Sequence, residues 1–472
     1  MLPLSRLCRA ATLAPILFAS VGCNSVLGIE DPVAREQTDA AADQAADVAT
    51  GTDAGQEGSA DSPSGDVVED VALDSPTQDV LEDVVLDSPT QDVLEDVVGE
   101  AATCGPECPV ECVQNQCVTV SRIVALDQLT CAVLSNHTAR CFGLGADGQL
   151  GDGLSETSPT PRVVKDGTNP LENVAAIGPG PMSQHVCARL MDGHLRCWGN
   201  DSYGALGVGN AGDLDDASQG PAPFPWTDVA VGGYFTCGVK DAGLWCWGRG
   251  NAGQLGFALD GGTTVTEPMS AGFGNVSSVR SGDIHSCARR TDGSVWCWGN
   301  NDNGRLGNQS TAASPTPVQV KLCNGSTLGG VESVSVGGGH ACAVLTNKTV
   351  VCWGRGGSGE LGDNLAQDSH CATPVAGLND AKSVSCGADS SCAVTGAGIL
   401  ECWGDNGSGK LGDGTQVQRN TPVLAKTPSA VEQVSCGIVH TCAVHLDGSA
   451  TCWGYNSFGE LGDGTKSSHA VP

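Results

Sequence analysis

One pattern recurs seven times along this chain, with the first cysteines of successive copies 50 to 56 residues apart. Each copy holds a Cys-Ala-Val-like run, a short turn and then Cys-Trp-Gly. The cysteines pair as Cys131 with Cys141, Cys187 with Cys197, Cys237 with Cys246, Cys287 with Cys297, Cys342 with Cys352, Cys392 with Cys402 and Cys442 with Cys452. A Leu-Gly step follows every pair, from Leu150-Gly151 to Leu461-Gly462. Periods of this length belong to solenoids and propellers, in which each unit buries its apolar face only against its neighbours. The array runs over 118–472, so a chain of 472 residues is read as one repetitive domain with a long N-terminal extension.

The fourth copy shows how a unit is built. Val276 and Val279 open a strand, a second runs through Cys287-Ala288-Arg289, and a third ends at Cys297-Trp298-Gly299. Thr291-Asp292-Gly293 is the turn between the last two, with Gly placed to take a positive φ. Cys287 and Cys297 are symmetric about Asp292, which sets them opposite each other across the hairpin. Close Cα atoms at a non-hydrogen-bonded cross-strand pair suit a disulfide. One disulfide is therefore expected in each copy, each worth roughly 2–3 kcal/mol by chain entropy. The third copy, Cys237 to Cys246, is one residue shorter, so its turn must differ. Cys323 and Cys371 lie in connections flanking one copy and are expected to form a further bridge. Cys386 and Cys436 sit at equivalent strand positions of adjacent copies and are expected buried and reduced.

Other positions of the repeat read as packing. Trp follows the second cysteine in six copies, with Phe142 in the first, and a large ring at a fixed strand end is expected between blades. His185, His285, His340 and His440 share one place, where other copies carry Leu129, Phe235 and Ser390. Apolar residues at equivalent places favour packed, hydrogen-bonded imidazoles over metal ligands. Asp152, Asp363, Asp413 and Asp463 follow Leu-Gly without the acidic spacing of a calcium loop and are expected to cap turns. No metal, cofactor or catalytic residue is assigned.

The N-terminal part has a different composition. Residues 1–22 read as a signal segment, with Arg6 and Arg9 before a short apolar stretch. Ser20-Val21-Gly22-Cys23 resembles a bacterial lipobox, with Ser20 where Leu is usual, and implies lipidation at Cys23. Plain cleavage near Gly22, giving a secreted protein, is the alternative. Residues 23–103 hold twenty-one acidic residues against the single Arg35, and no aromatic residue. Such a segment cannot bury enough apolar surface to offset chain entropy and is expected to be a disordered tether. Residues 104–117 carry Cys104, Cys108, Cys112 and Cys117, read as two disulfides whose three pairings stay open. The Cys count points to an oxidising compartment. A net charge of -31 argues against nucleic acid or anionic lipid as a partner held by bulk charge.

The stretch Val431 to Leu461, VEQVSCGIVHTCAVHLDGSATCWGYNSFGEL, resembles the repeat of the regulator of chromosome condensation family. The resemblance covers 118–472. It implies an all-β fold, a seven-bladed propeller of four-stranded blades. The eukaryotic namesake acts on a nuclear GTPase and chromatin, an activity not carried over to an acidic, cysteine-paired chain. The cysteine pairs depart from the nuclear form and imply an exported bacterial version, whose similar members bind proteins. Thr-Pro-Val-type strands separate the copies, and Ser468–Pro472 are expected to complete the first blade and close the ring.

The functional expectation is a monomeric, envelope-anchored scaffold that binds a protein partner through its loops, attached to the membrane by the lipid alone. Glycan or cell-wall binding is the alternative, and an enzyme the least favoured. Binding is expected where the repeat breaks, at Asn210–Trp226, Gln309–Val331 and Leu365–Cys371. A lectin would instead reuse equivalent places in several blades.

Overall fold

The structure is a computed structural model that describes residues 111–113 and 116–472, apart from 210, 211, 223, 224 and 260–263. Among the described residues there is no helix. The expected signal segment, Cys23, the acidic tether, Cys104 and Cys108 lie outside them. Glu111–Val113 and Gln116–Val118 form a hairpin with Cys112 opposite Cys117, and Cys117 is disulfide-bonded.

Seven antiparallel sheets follow as the blades of a propeller. Each begins with an inner strand, continues through the two cysteine-bearing strands and ends at the outer edge. The fourth blade is Val276–Ser281, His285–Arg290, Val295–Gly299 and Ser314–Gln319. Five blades have four strands. The second and seventh have three, with single bridges, Gly199 to Leu214 and Gly454 to His469, where the outer strand would pair. Inner strands pack on inner strands around a central channel.

The hairpins explain the cysteine spacing. Cys287 stands opposite Cys297 with Arg289 opposite Val295, and Gly293 turns the chain at φ 78°. In the third blade Lys240 pairs with Gly243, leaving Asp241 and Ala242 at φ 51° and 56°. Two consecutive positive φ values define the tight hairpin turn that matches strand twist, and this accounts for the missing residue. Every blade closes its hairpin with a disulfide. Cys131 bonds Cys141, Cys187 bonds Cys197, Cys237 bonds Cys246 and Cys287 bonds Cys297. Cys342 bonds Cys352, Cys392 bonds Cys402 and Cys442 bonds Cys452. In all seven the Cα atoms are 4.0 to 4.1 Å apart, the close approach of directly opposed strand residues. Cys323–Cys371, at 5.0 Å, ties the connection after the fourth blade to the outer strand of the fifth.

The Leu-Gly step and the Trp are two halves of one joint. Trp403 donates its Nε1 to the Glu360 carbonyl of the preceding blade at 2.8 Å, and a Cβ on Gly362 would lie 2.8 Å from that nitrogen. Gly362 also has φ 66°, so ring contact and backbone both require glycine. The other five tryptophans donate in the same way, to the carbonyls of Gln149, Ala205, Gln254, Arg305 and Lys410.

The expected completion of the first blade by Ser468–Pro472 does not occur. The first blade uses Ser158–Val163 of its own copy, and His469 returns to Gly454 in the seventh. Ring closure rests instead on backbone bonds, from Val120 N to Gly448 O and from Gly464 N to Pro159 O, both 2.9 Å, and on side chains. Gln433 brackets the backbone of Ile123, and Ser435 Oγ accepts the Ala125 amide at 2.9 Å. Phe142 packs on Gly462.

Candidate functional site

The connections between strands one and two and between strands three and four meet on one end of the propeller, here called the loop face. The tight turns between strands two and three and the links between blades form the opposite end, the turn face.

On the loop face, the second and third blades present an aromatic cluster. The rings of Tyr203 and Tyr234 meet edge to face with centroids 5.3 Å apart, and the Arg249 guanidinium lies 5.2 Å over Tyr203. Tyr234 donates its hydroxyl to Gln184 at 3.2 Å, and Arg249 Nε donates to Asn251 at 2.9 Å. All three side chains are partly exposed.

The fourth to seventh blades present charge instead. The residue before Leu-Gly is Arg305, Glu360, Lys410 and Glu460 in turn, alternating in sign and buried. Arg355 joins Glu360 at 3.4 Å to Asp389 at 2.9 Å. Lys410 meets Asp405 at 2.8 Å and donates to the Ile438 carbonyl at 3.0 Å. Burial raises the pKa of Glu360 and of Glu460 above the usual carboxylate range. Burial also works against the charge on Asp405, but the Lys410 hydrogen bond and charge outweigh it and hold that carboxyl low. Asp283 is raised by burial, with Arg305 and Arg249 pulling the other way.

The histidine position is a joint between blades. The Nε2 of His185, His340 and His440 lies 2.7 to 2.8 Å from the hydroxyl of Thr236, Ser391 and Thr130 in the next blade. The fourth member, His285, faces a blade that carries Ala341 at the equivalent place, and neither of its ring nitrogens has a partner. Burial lowers the imidazoles of His185, His340 and His440 to about 3, and the neutral ring is the one that packs.

One group has the composition of a metal centre: ligand atoms of His340, Cys342 and Cys386 lie within 4.8 Å of one another. Cys342 is tied to Cys352, and Ser391 Oγ occupies the middle, 2.8 Å from His340, 3.8 Å from Cys342 and 3.9 Å from Cys386. The space is filled by a hydroxyl, and the group is a packed joint. Cys386 and Cys436 are buried free thiols, which burial pushes up to about 12 and about 11. The aspartates after Leu-Gly accept the amide two residues on, as Asp413 does from Thr415 at 2.9 Å.

Structural contacts lie within the repeat breaks singled out from the sequence. Trp226, at the end of the first break, is 2% exposed, with its ring centroid 5.5 Å from that of Trp247. Gln309–Val331 and Leu365–Cys371 hold the Cys323–Cys371 bridge. The Tyr203–Tyr234–Arg249 cluster was not legible as a unit, because its members come from two copies at three different places of the repeat. The alternating residues before Leu-Gly were a readable signal. So were Trp245 and Trp296, which occupy a place where other copies carry Arg140, Arg196, Val351, Glu401 and Thr451. Trp296 lies 5.6 Å from Phe273, with Arg290 over both rings.

Comparison with known proteins agrees with the repeat reading. Residues 241–289, 292–344 and 400–444 match the Regulator of chromosome condensation (RCC1) repeat, and 276–305, 331–360 and 431–460 match a second description of the same repeat. The chain is 30% identical over 282 residues to the E3 ubiquitin-protein ligase HERC2 of Homo sapiens and of Mus musculus, spanning 58% of this chain and 6% of that protein. It is 30% identical over 268 residues to the Ultraviolet-B receptor UVR8 of Arabidopsis thaliana, 56% of this chain and 59% of the relative. Yeast RCC1 (Prp20), solved bound to Kap60, aligns with a TM-score of 0.60 at 20% identity over 75% of this chain and 84% of that one, a likeness of fold.

These relatives correct the reading of the chain as an exported bacterial lipoprotein. They are human, mouse and plant proteins, and they support neither an envelope or extracellular location, nor a signal segment, nor a membrane partner through a lipid at Cys23. That reading leaned on cysteine content and on a four-residue likeness that already departs at Ser20. The cysteine pairs report hairpin geometry, two Cα atoms about 4 Å apart at every blade, and such geometry names no compartment. The chain is an all-β, seven-bladed propeller whose blades are similar to RCC1 repeats.

Proposed function

We propose that this chain is a protein-binding propeller and that its contact surface is the loop face. The observation that carries the reading is the Tyr203–Tyr234–Arg249 stack, partly exposed on the same face as the Arg355–Asp389 and Lys410–Asp405 ion pairs. Tyr and Arg dominate the binding energy of protein interfaces, since they offer large contact area for few rotatable bonds. A glycan binder would reuse equivalent places, but only Phe458 repeats an aromatic ring at the place of Tyr203, and the place of Tyr234 carries residues such as Gln128, Ile284 or Asp389 elsewhere. Binding is favoured over catalysis because Arg355 is spent on Glu360 and Asp389, and Lys410 on Asp405.

Affinity capture tests the reading. The double substitution Tyr203→Ala with Arg249→Ala is expected to lower recovery of the co-purifying protein at least tenfold. Leu446→Ala, on an exposed turn-face residue, is expected to leave it unchanged. Equal recovery by both variants would overturn the assignment.

A further inference from the structure

We propose that the central channel is a binding site for a compact polyanion, entered from the turn face and separate from the protein-binding face. The channel is blind. The link from Ile177 to His185 in the second blade is two residues longer than its counterpart from Val279 to His285 in the fourth. Pro179 accepts the Val231 amide at 3.2 Å, and Met182 Sδ reaches Gly338 of the fifth blade, so this link crosses the axis. Beneath it lies a space of 30 Å³, which shares Arg280, Ser335, Ser385 and Ser435 with a wider cavity of 490 Å³.

The wall of that cavity is rich in donors. Arg122, Arg189 and Arg280 line it together with one carboxylate, Asp228. Asp228 is already engaged, accepting from Arg280 at 2.8 Å and from the Val279 amide at 3.0 Å. Arg122 has no ion pair among the described residues, and Arg189 reaches only the Leu190 carbonyl, at 3.4 Å. Across the axis, Ser335, Ser385 and Ser435 each accept the amide of the next inner strand, at 2.9 to 3.0 Å. Those bonds fix the oxygens and leave the hydroxyl hydrogens free to donate. Ser333 Oγ, on the same wall, is buried without a partner. Two uncompensated guanidiniums facing an arc of fixed hydroxyls, in a chain of net charge -31, form a preorganised anion site. Arg189 and Arg280 are partly buried in the wall, which strengthens their contacts relative to open surface.

Calorimetric titration of the protein with citrate and with inorganic phosphate, against chloride at equal ionic strength, tests the site. One saturable site is expected for at least one anion. A preference for citrate assigns a carboxylate ligand, and a preference for phosphate a phosphoryl group. Arg122→Gln and Arg189→Val are each expected to weaken binding at least tenfold, and Ser333→Ala about threefold. Val is the residue that most other blades carry at the place of Arg189. If Arg189→Val fails to fold, Arg122→Gln carries the test, because that side chain is exposed. Tyr203→Ala is expected to leave anion binding unchanged. No saturable binding by the unsubstituted protein, or equal binding by Arg122→Gln, would overturn the proposal.

Discussion

The junction between the fifth and sixth blades and the junction between the seventh and first do the same work with different groups. At the first, Trp403 fills the gap, rests on Gly362 and donates to the Glu360 carbonyl, which Ser391 also reaches at 3.1 Å. At the second, Phe142 rests on Gly462 and has no donor, and Thr130 alone reaches the Glu460 carbonyl, at 2.8 Å. The smaller ring leaves a cavity of 310 Å³ lined by Val120, Ile123, Leu134, Phe142 and Leu461 among others. The seventh blade also lacks a full outer strand. Closure keeps the serine and histidine contacts of the other junction and adds one that it lacks, the Gln433 bracket on Ile123. The ring therefore places its tryptophan joints where blades follow in sequence, and at its one non-sequential joint a smaller ring is accompanied by the Gln433 bracket.

Acid challenges both junctions at once and gives the largest expected effect. His185, His340 and His440 sit at about 3 in the folded state against 6.5 unfolded, and His285 is also lowered by burial. The unfolded chain then binds more protons, so stability is complete above pH 6.5 and falls as pH drops toward 3. The slope is about 1.4 kcal/mol per pH unit for each imidazole. Glu360 and Glu460, raised by burial, oppose this in part. Denaturant unfolding at pH 7 and pH 5 measures the loss, and His340→Gln and His440→Gln should flatten it equally if the two junctions share the same histidine bond.

Truncation separates the junctions next. Trp403→Ala is expected to cost about 3–5 kcal/mol, in the range for large buried rings. Phe142→Ala should cost less, because its surroundings are already loosely filled. Equal losses in thermal unfolding would break the comparison. Phe142→Trp sharpens it from the other side. The Glu460 carbonyl has a lone pair to spare, since Lys410 O accepts both Thr441 and Trp453 in the equivalent arrangement. Filling the cavity and adding that bond is expected to stabilise by about 1–2 kcal/mol. The smallest effect belongs to Ala341→Ser, which restores a hydroxyl opposite His285 and should raise stability by about 1 kcal/mol.

Much of this fold was legible because the repeat couples positions that touch. The symmetry of Cys287 and Cys297 about Asp292 is the hairpin itself, and the Leu-Gly step is a Trp contact seen from its other side. Reading stopped where contacts cross the ring. The two extra residues between Ile177 and His185 were visible, but nothing local says that they reach Gly338 three blades away. The closure was misread for the same reason. A returning Ser468–Pro472 strand is the simple local pattern, whereas Gln433 and Ser435 meet Ile123 and Ala125 across 310 residues. The Tyr203 cluster escaped because it belongs to no single repeat position.

Photo-cross-linking from the two ends of the propeller tests the central claim most directly. Benzoylphenylalanine placed at Tyr203 on the loop face and, separately, at Leu446 on the turn face would report which end meets a protein partner. The account predicts a discrete protein adduct from position 203 and none from position 446. Adducts from 446 alone, or equally from both, would contradict it.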